Sequence, residues 1–225
     1  MPVFDYGETE LRHLRRKDKI LACAIEQIGP IERAINPDLF TALIHSIVGQ
    51  QIATKAAVTV WNRLLERCGE ITPQCLYAMD AAEIQQCGLS MRKARYIHGA
   101  SRAVAMQELV LEEFPSLPDA EIISRLSALD GIGVWTAEML LIFSLQRPDV
   151  VSWGDLAIRR GMMALYGLSS LTRTQFDNYR KRYSPYGSVA SLYLWALAAR
   201  KPEAMNHAAD RRGKMAGSPS KQRRI

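Results

Sequence analysis

Apolar residues recur along this chain at the spacing of α-helices. From Leu39 to Val48 they repeat every three or four positions, which places them on one face of a helix. The preceding Asn36-Pro37-Asp38 supplies an N-cap, a proline for the first turn and an acidic residue, all of which favour a helix start. A second helix is predicted from Ala53 to Arg67, with Gly69 beyond its end.

Helix-capping residues mark the starts of further helices. They are Thr72, Asp80, Ser90, Asp119 and Thr172, the last paired with Gln175 in a capping box. The apolar spacing predicts additional helices from Val134 to about Leu145, from near Asp155 to Gly167 and from about Tyr186 to Arg200, with an extended segment at 147–151. No strand–turn–strand pattern is evident in the sequence. About ten helices without a repeat period predict an irregular all-α globular fold.

Length and composition are those of an ordinary globular protein. The chain has 225 residues, 48% of them apolar, which suffices for one domain or two small ones with a sizeable core. No apolar stretch reaches membrane-spanning length and no secretory signal is visible, so we expect a cytoplasmic protein without membrane contact. The four cysteines are widely spaced and form no CxxC pair. We therefore expect reduced thiols, with neither zinc nor an iron–sulfur cluster.

Most of the positive charge lies at the C-terminus. The formal net charge is +6, and residues 206–225 contain six Lys and Arg residues against one Asp, which gives this segment +5. The segment has no hydrophobic periodicity and is rich in Gly and Ser, a composition typical of disorder. We therefore predict a folded domain over 1–205 and a basic, disordered tail over 206–225.

Residues 129–137, L-D-G-I-G-V-W-T-A, contain the most specific local pattern. Two glycines one residue apart, ahead of an apolar helix, predict a tight turn that opens that helix. The first amides of a helix have no partner within it and attract anions, phosphate above all. A GxG is common by itself, but here Asp155 follows eighteen residues after Ala137. From the local sequence alone, that aspartate is more simply the N-cap of the next helix.

Further segments accompany the turn, namely residues 46–57, 88–94, 151–160 and 184–188. Together with the turn they resemble the 3-methyladenine DNA glycosylase II branch of the helix-hairpin-helix superfamily, over about residues 10–200. That family has two helical subdomains flanking a DNA-binding cleft, the HhH-GPD fold. The resemblance implies one subdomain at about 40–145 and another formed by the N-terminal segment together with about 146–200.

By this resemblance Asp155 is the catalytic aspartate. Cleavage of an N-glycosidic bond builds positive charge on the sugar, which a nearby carboxylate stabilises while water attacks the anomeric carbon. One side chain can be both cap and catalyst. Amides near Gly131, Gly133 and Thr136 would hold a DNA phosphate. Lys93 is expected to be a further phosphate contact, the alternative being a solvated surface lysine, which is the preferred interpretation for its neighbour Arg92.

The tryptophan at position 135 determines which reaction is expected. Strand-cleaving relatives carry a lysine at this place in the turn, which forms a Schiff base with the sugar. Trp135 instead resembles the branch that acts on alkylated bases, and its face can stack on a cationic methylated purine, although most tryptophans in helices simply pack in the core. Trp153 is a second candidate for a wall of the base pocket. Some relatives have a tyrosine where this chain has Met139.

The resemblance also implies a residue that fills the gap left by a flipped base. Gln51 occupies the place of this wedge, with its neighbour Ile52 as the alternative. Without the resemblance, Gln50-Gln51 would be an ordinary connection between two helices. The family's turn often holds a monovalent cation, Na⁺ or K⁺, through backbone carbonyls, here those of Ser127, Leu129 and Ile132. No other cofactor is expected to be required.

The sequence therefore predicts a monofunctional DNA glycosylase of base excision repair, which flips out alkylated purines and hydrolyses their glycosidic bonds. Its partner would be double-stranded DNA containing damaged bases, and the protein would act as a monomer. We expect it in the cytoplasm, associated with the nucleoid if the source is a bacterium. One alternative is a non-catalytic DNA-binding protein using the same turn, against which Asp155 counts. The other is a bifunctional glycosylase-lyase, against which Trp135 and the missing cysteine cluster count. The preference among alkylated, deaminated and etheno bases stays open.

Overall fold

The computed structural model describes residues 2–200. In this range the secondary structure is helical, apart from one isolated bridge between Val3 and Ala34. The α-helices are α1 (Glu8–Lys17), α2 (Lys19–Ile28), α3 (Leu39–Gly49), α4 (Thr54–Cys68), α5 (Pro73–Ala78), α6 (Ala81–Gln85), α7 (Met91–Ala105), α8 (Asp119–Ser127), α9 (Val134–Phe143), α10 (Leu156–Tyr166), α11 (Arg173–Tyr183) and α12 (Gly187–Ala199). A 3-10 helix, Leu111–Ser116, lies between α7 and α8. The all-α prediction is confirmed, whereas the basic tail and the predicted domain end at 205 lie outside the described residues.

Helix starts follow the predicted caps with two exceptions. The side chains of Thr72, Asp80, Ser90 and Thr172 each accept a backbone N–H of the helix that follows. Asp38, not Asn36, caps α3, because the Asn36 side chain accepts the Asp38 N–H and delays the helix start. Asp119 is the first residue of α8 rather than its cap, and its carboxylate pairs with Arg147 at 3.2 Å.

The more extensive contacts between helices fall into two groups. In one group α1 and α2 pack with α10, α11 and α12. In the other, α3 packs on α4, α7 and α9, α7 also contacts α5 and α6, and α8 packs on α9. A single hydrophobic core nevertheless runs through both groups. The subdomain boundaries given above stay a prediction.

The first group is joined by a close helix crossing and by a buried carboxylate. A Cβ at Gly161 of α10 would overlap the backbone of Leu194 in α12, so glycine allows these helices to approach closely. The carboxylate of Asp18 caps α2 and also accepts from the hydroxyl of Tyr166 at 2.6 Å and from Arg182 at 3.2 Å. These contacts fix the position of α10 relative to α2 and α11.

The expectation of four reduced thiols is wrong for one pair. Cys68 and Cys75 form a disulfide with a Cα–Cα distance of 5.9 Å, because α4 ends at Cys68 and the short connection to α5 returns Cys75 to its side. Cys23 and Cys87 are free. Among the described residues, no group of His, Cys, Asp and Glu side chains is arranged to bind a metal ion. None of the described helices is long and apolar enough to span a bilayer.

Candidate active site

The glycine pair forms the connection between α8 and α9. Gly131 has a φ of +81°, and a Cβ there would overlap the ring of Tyr96, so both conformation and packing require glycine. Gly133 is the N-cap residue of α9, and no side chain caps this helix. Gly133 and Val134 are exposed. The turn therefore presents the uncapped N-terminus of α9 to solvent, as an anion site requires.

Two oxygen atoms in the segment that leads into and through this turn have unused hydrogen-bonding capacity. The carbonyl of Leu129 accepts the Ile132 N–H at 3.1 Å and keeps its second lone pair. The hydroxyl oxygen of Ser127 is buried and has no hydrogen-bond partner. A carbonyl oxygen and an unpartnered hydroxyl oxygen are ligands of the kind that a hard monovalent cation binds, so these residues fit such an ion.

The carboxylate of Asp155 caps α10 and also contacts Trp135. Its carboxylate is buried, with 7% of the residue exposed. Oδ1 accepts the backbone N–H of Ile158 at 2.8 Å, which makes Asp155 the N-cap of α10. Oδ2 accepts the indole N–H of Trp135 at 2.9 Å. The cap interaction therefore uses one oxygen, and the other is directed towards the first turn of α9.

Trp135 is half-exposed and forms part of two cavities, one on each side. The first, which we call the wedge-side cavity, has a volume of about 610 Å³. Its other lining residues are His45, Ser46, Gly49, Gln50, Gln51, Gly133, Thr136 and Met139. The structure thus brings Gln51, Trp135 and Met139 to the same cavity.

Three lining residues, His45, Ser46 and Gly49, were not predicted. They lie on the α3 face opposite Leu43, Ile44 and Ile47, which are fully buried. A signal was present in the sequence, because these small or polar residues form the polar side of an otherwise strongly apolar helix. His45 also packs edge-on against Trp61, with ring centroids 5.0 Å apart.

The second cavity, here called the α11-side cavity, has a volume of about 410 Å³. It is lined by Trp135, Trp153, Asp119, Ile123, Val134, Glu138, Leu141, Asp149, Val150, Val151, Gly154, Arg173, Phe176 and Arg180. Trp153 faces this cavity and not the wedge-side cavity. Its ring packs edge-on against Phe176 and lies under the guanidinium groups of Arg159 and Arg173. Trp153 is therefore held by α10 and α11, which removes it from the wall shared by Gln51 and Trp135.

Glu138 is an ionisable residue of the α11-side cavity that the sequence analysis did not single out. It stands alone among the apolar residues of α9. Burial raises the pKa of its carboxyl group above the ordinary value, and the negative charge of Asp155 raises it further. The positive charges of Arg180 and Arg173 lower it but do not cancel this increase. A single charge within an apolar helix was the available signal.

The predicted wedge lies at the end of α3. Gln51 and Ile52 are both exposed, and Ile52 retains 38% of its surface. Gln51 has a φ of +55°, a left-handed conformation that non-glycine residues seldom adopt. The preceding Gln50 donates its side-chain amide to the carbonyl of Gly131 at 2.9 Å. This contact links the wedge to the glycine turn.

The side chains of two predicted phosphate contacts, Thr136 and Lys93, have their neighbours within the protein. The side chain of Thr136 is buried and lines the wedge-side cavity, so only its backbone amide belongs to the turn. The ammonium group of Lys93 donates to the carbonyls of Val48, at 3.0 Å, and Gln50. Its partners are thus protein atoms at the end of α3.

Comparison with known proteins gives consistent matches. The HhH-GPD superfamily of base excision DNA repair proteins matches residues 44–185. DNA-3-methyladenine glycosylase 1 of Schizosaccharomyces pombe is 35% identical over 194 residues, which cover 84% of this chain and 85% of that protein. The crystal structure of a DNA-3-methyladenine glycosidase from Bacillus halodurans aligns with a TM-score of 0.84 and 33% identity, covering 93% of this chain and 100% of that one.

A structure that includes DNA also matches. The 3-methyladenine DNA glycosylase of Schizosaccharomyces pombe in complex with abasic DNA has a TM-score of 0.71 and 31% identity, over 83% of this chain and 95% of that chain. The predicted resemblance and the HhH-GPD fold are confirmed by these similarities. The chain therefore belongs to the HhH-GPD superfamily of base excision DNA repair proteins, as an enzyme of its 3-methyladenine DNA glycosylase branch.

Proposed function

We propose that this protein is a monofunctional DNA glycosylase that removes alkylated purines, such as 3-methyladenine, from double-stranded DNA and leaves an abasic site. The observation that carries the proposal is the 2.9 Å hydrogen bond between the indole of Trp135 and the carboxylate of Asp155. It joins an aromatic face for a cationic base to the anion that the sugar requires. The named activities of the relatives point to the same substrate class.

Asp155 acts mainly through its charge. As the base departs, positive charge develops on the sugar, and a fixed carboxylate stabilises it. Both oxygens already accept a hydrogen bond, so the carboxylate is held in one orientation. This fixed carboxylate would also orient water for attack on the anomeric carbon. Alkylated purines suit this arrangement because they are cationic and leave without strong protonation.

The flipped base would occupy the wedge-side cavity. Its volume of about 610 Å³ lies in the range of roughly 300–1,000 Å³ typical of ligand pockets. Trp135 offers a half-exposed aromatic face there, and a cation stacks favourably on such a face. Gln51, with Ile52 beside it, would fill the gap that the flipped nucleotide leaves in the duplex. Met139 lines the same cavity and would contact the base.

The glycine turn would anchor the DNA backbone. Amides at Gly133 and in the first turn of α9, including that of Thr136, would bind one phosphate, while Gly131 shapes the turn. Na⁺ or K⁺ would be held by carbonyls of Ser127, Leu129 and Ile132, with the Ser127 hydroxyl as a further donor. Such an ion would stiffen the turn and add positive charge near the phosphate. The chemistry itself requires no cofactor, and we propose that one monomer acts on one lesion.

Strand cleavage is not part of the proposed reaction. The place in the turn that would hold a Schiff-base lysine is occupied by Trp135, so no amine is available there to attack the sugar. The product would be an intact strand carrying an abasic site. The predicted cytoplasmic location stays a prediction.

The test is base release from defined duplexes. Duplexes with one 3-methyladenine, 7-methylguanine, hypoxanthine or ethenoadenine are incubated with excess enzyme, and free base and strand breaks are measured separately. We expect release of methylated purines, strand breakage only after alkali, and no protein–DNA adduct after borohydride treatment. Borohydride trapping would indicate a glycosylase-lyase, and binding without any release would indicate a non-catalytic DNA-binding protein.

A further inference from the structure

Lys93 occupies an unusual place in its own helix. It lies in the first turn of α7, where its backbone N–H is already satisfied by the Ser90 cap. A cation there is opposed by the partial positive charge of the helix N-terminus. The side chain instead reaches the last turn of α3, where carbonyl groups lack helical partners and favour a cation. Its ammonium donates to the carbonyls of Val48 and Gln50.

Gln50 passes this contact on to the glycine turn. Its main-chain carbonyl is held by Lys93, and its side-chain amide donates to the carbonyl of Gly131 at 2.9 Å. One residue thus connects α7, the end of α3 and the turn before α9. The next residue is Gln51, whose φ of +55° is unfavourable for a side chain. A conformation of this kind persists only where the surroundings hold it.

The lowered pKa of the Lys93 ammonium group is consistent with this half-buried location. Lys93 is half-buried, and burial lowers the pKa of its ammonium group, with the charge of Arg92 acting in the same direction. A DNA phosphate would have to draw the ammonium away from the two carbonyls that it already binds. Arg92, next to it, is exposed and has no such partner to give up among the contacts of the described residues.

We propose that Lys93 is a positioning residue for the wedge, which holds residues 50–52 in the conformation that enters DNA and fixes them relative to the hairpin turn. This role replaces the phosphate contact expected from the sequence. It rests on the proposed function only in so far as Gln51 is the wedge. Lys93 then affects base release through Gln51 and is not itself a phosphate contact.

Four variants test the proposal, namely Lys93→Met, Gln51→Ala, the double variant, and Arg92→Met as the control of an adjacent surface charge. Insertion is followed by the fluorescence of 2-aminopurine placed opposite a stable abasic analogue, and base release is followed under single-turnover conditions. The salt dependence of binding to undamaged duplex is measured for all four. Lys93→Gln replaces Lys93→Met if the latter does not fold, because it keeps a donor while removing the charge.

We expect Lys93→Met to lower the insertion signal and to slow base release by roughly 10- to 100-fold, the scale of a misplaced group. In the Gln51→Ala background the same change should have less than about a threefold further effect, because coupled residues are not additive. The slope of log K against log salt should stay at the wild-type value. Loss of a phosphate contact would instead make that slope shallower by about 0.9. Arg92→Met shows what the loss of an exposed neighbouring charge does to the slope by itself.

Two results would overturn the proposal. One is a reduced salt slope for Lys93→Met, and the other is a Lys93 effect that adds fully to that of Gln51→Ala. Insertion at an abasic analogue requires no base release, so failure of the proposed activity is separately visible. If Lys93→Met lowers the insertion signal but no variant and not even the wild-type enzyme releases base, the proposed function is refuted and the positioning role of Lys93 is supported.

Discussion

Replacing Asp155 by Asn and by Ala separates its catalytic role from its role as a helix cap. Asn keeps the size of the side chain and caps helices about as well as Asp, but it removes the negative charge. Ala removes both charge and cap. If the carboxylate stabilises the sugar cation, the two variants should lose base release to a similar extent while differing in thermal stability.

The size of each effect follows from the two hydrogen bonds of the carboxylate. Loss of a preorganised electrostatic group slows catalysis by about 10²–10³-fold, and both variants should show it. In Asp155→Asn the amide oxygen can accept from Ile158, but the amide NH₂ then meets the indole N–H of Trp135, donor against donor. The indole is half-exposed, so we expect a cost of about 1 kcal/mol. That corresponds to a Tm decrease of roughly 2–4 °C at this chain length.

Asp155→Ala also leaves the first turn of α10 uncapped, which costs about 1 kcal/mol more and should double the decrease in Tm. The assays are single-turnover release of 3-methyladenine and differential scanning fluorimetry, with binding to a stable abasic analogue as a control for folding. Near-normal release by Asp155→Asn would refute the assignment of Asp155 as the catalytic anion. So would release rates that simply follow the Tm of the two variants.

Three further predictions concern other parts of the molecule. Trp135→Phe keeps an aromatic face but loses the indole N–H. Single-turnover release should therefore fall roughly tenfold, which corresponds to the loss of one hydrogen bond to a charged group. Unchanged release would show that the contact to Asp155 is dispensable. Because burial raises the pKa of Glu138, its protonated form stabilises the fold at low pH and this stabilisation is lost as pH rises. The Tm of Glu138→Gln should therefore rise relative to wild type between pH 4 and pH 7, and a constant difference would contradict this. Deletion of residues 206–225, with six cations, should flatten the salt dependence of binding to undamaged DNA by up to about 0.9 per phosphate contact while single-turnover release stays unchanged.

Much of the fold was predictable because its helices carry their signals locally. Apolar spacing located α3 and α4, and capping side chains located α5, α6, α7 and α11. Three elements were not predicted, and one of them, α2, has a clear local signal that was overlooked, because Asp18 caps it and Leu21, Ala22, Ala24 and Ile25 form its buried face. α1 is highly charged and buries only Leu14, and the 3-10 helix contains Pro115. Each offers only two large apolar side chains, Leu11 and Leu14 in α1 and Leu111 and Phe114 in the 3-10 helix, which are too few to establish a helical period.

Side-chain partners across the fold were less predictable than the residues themselves. The sequence singled out Trp135 and Asp155 as candidate site residues but not the hydrogen bond between them. Lys93 was predicted to contact DNA because a lysine at a helix start looks solvated when its helix is considered alone. Its carbonyl partners lie 45 and 43 positions earlier in the chain. The disulfide between Cys68 and Cys75 was missed for a related reason, since their approach depends on how the chain returns from α4 to α5.

The opposition between cap and catalyst at Asp155 disappears once the geometry is considered. An N-cap residue is held at the start of a helix, and here that start lies beside Trp135 in the first turn of α9. Capping uses one oxygen and fixes the plane of the carboxylate, so the second oxygen has a defined direction. The N-terminus of α10 also favours a negative charge at this position. An aspartate that capped nothing would be freer to rotate and would lose part of the preorganisation on which electrostatic catalysis depends. The structural role of Asp155 as a helix cap is thus what would make its proposed catalytic role effective.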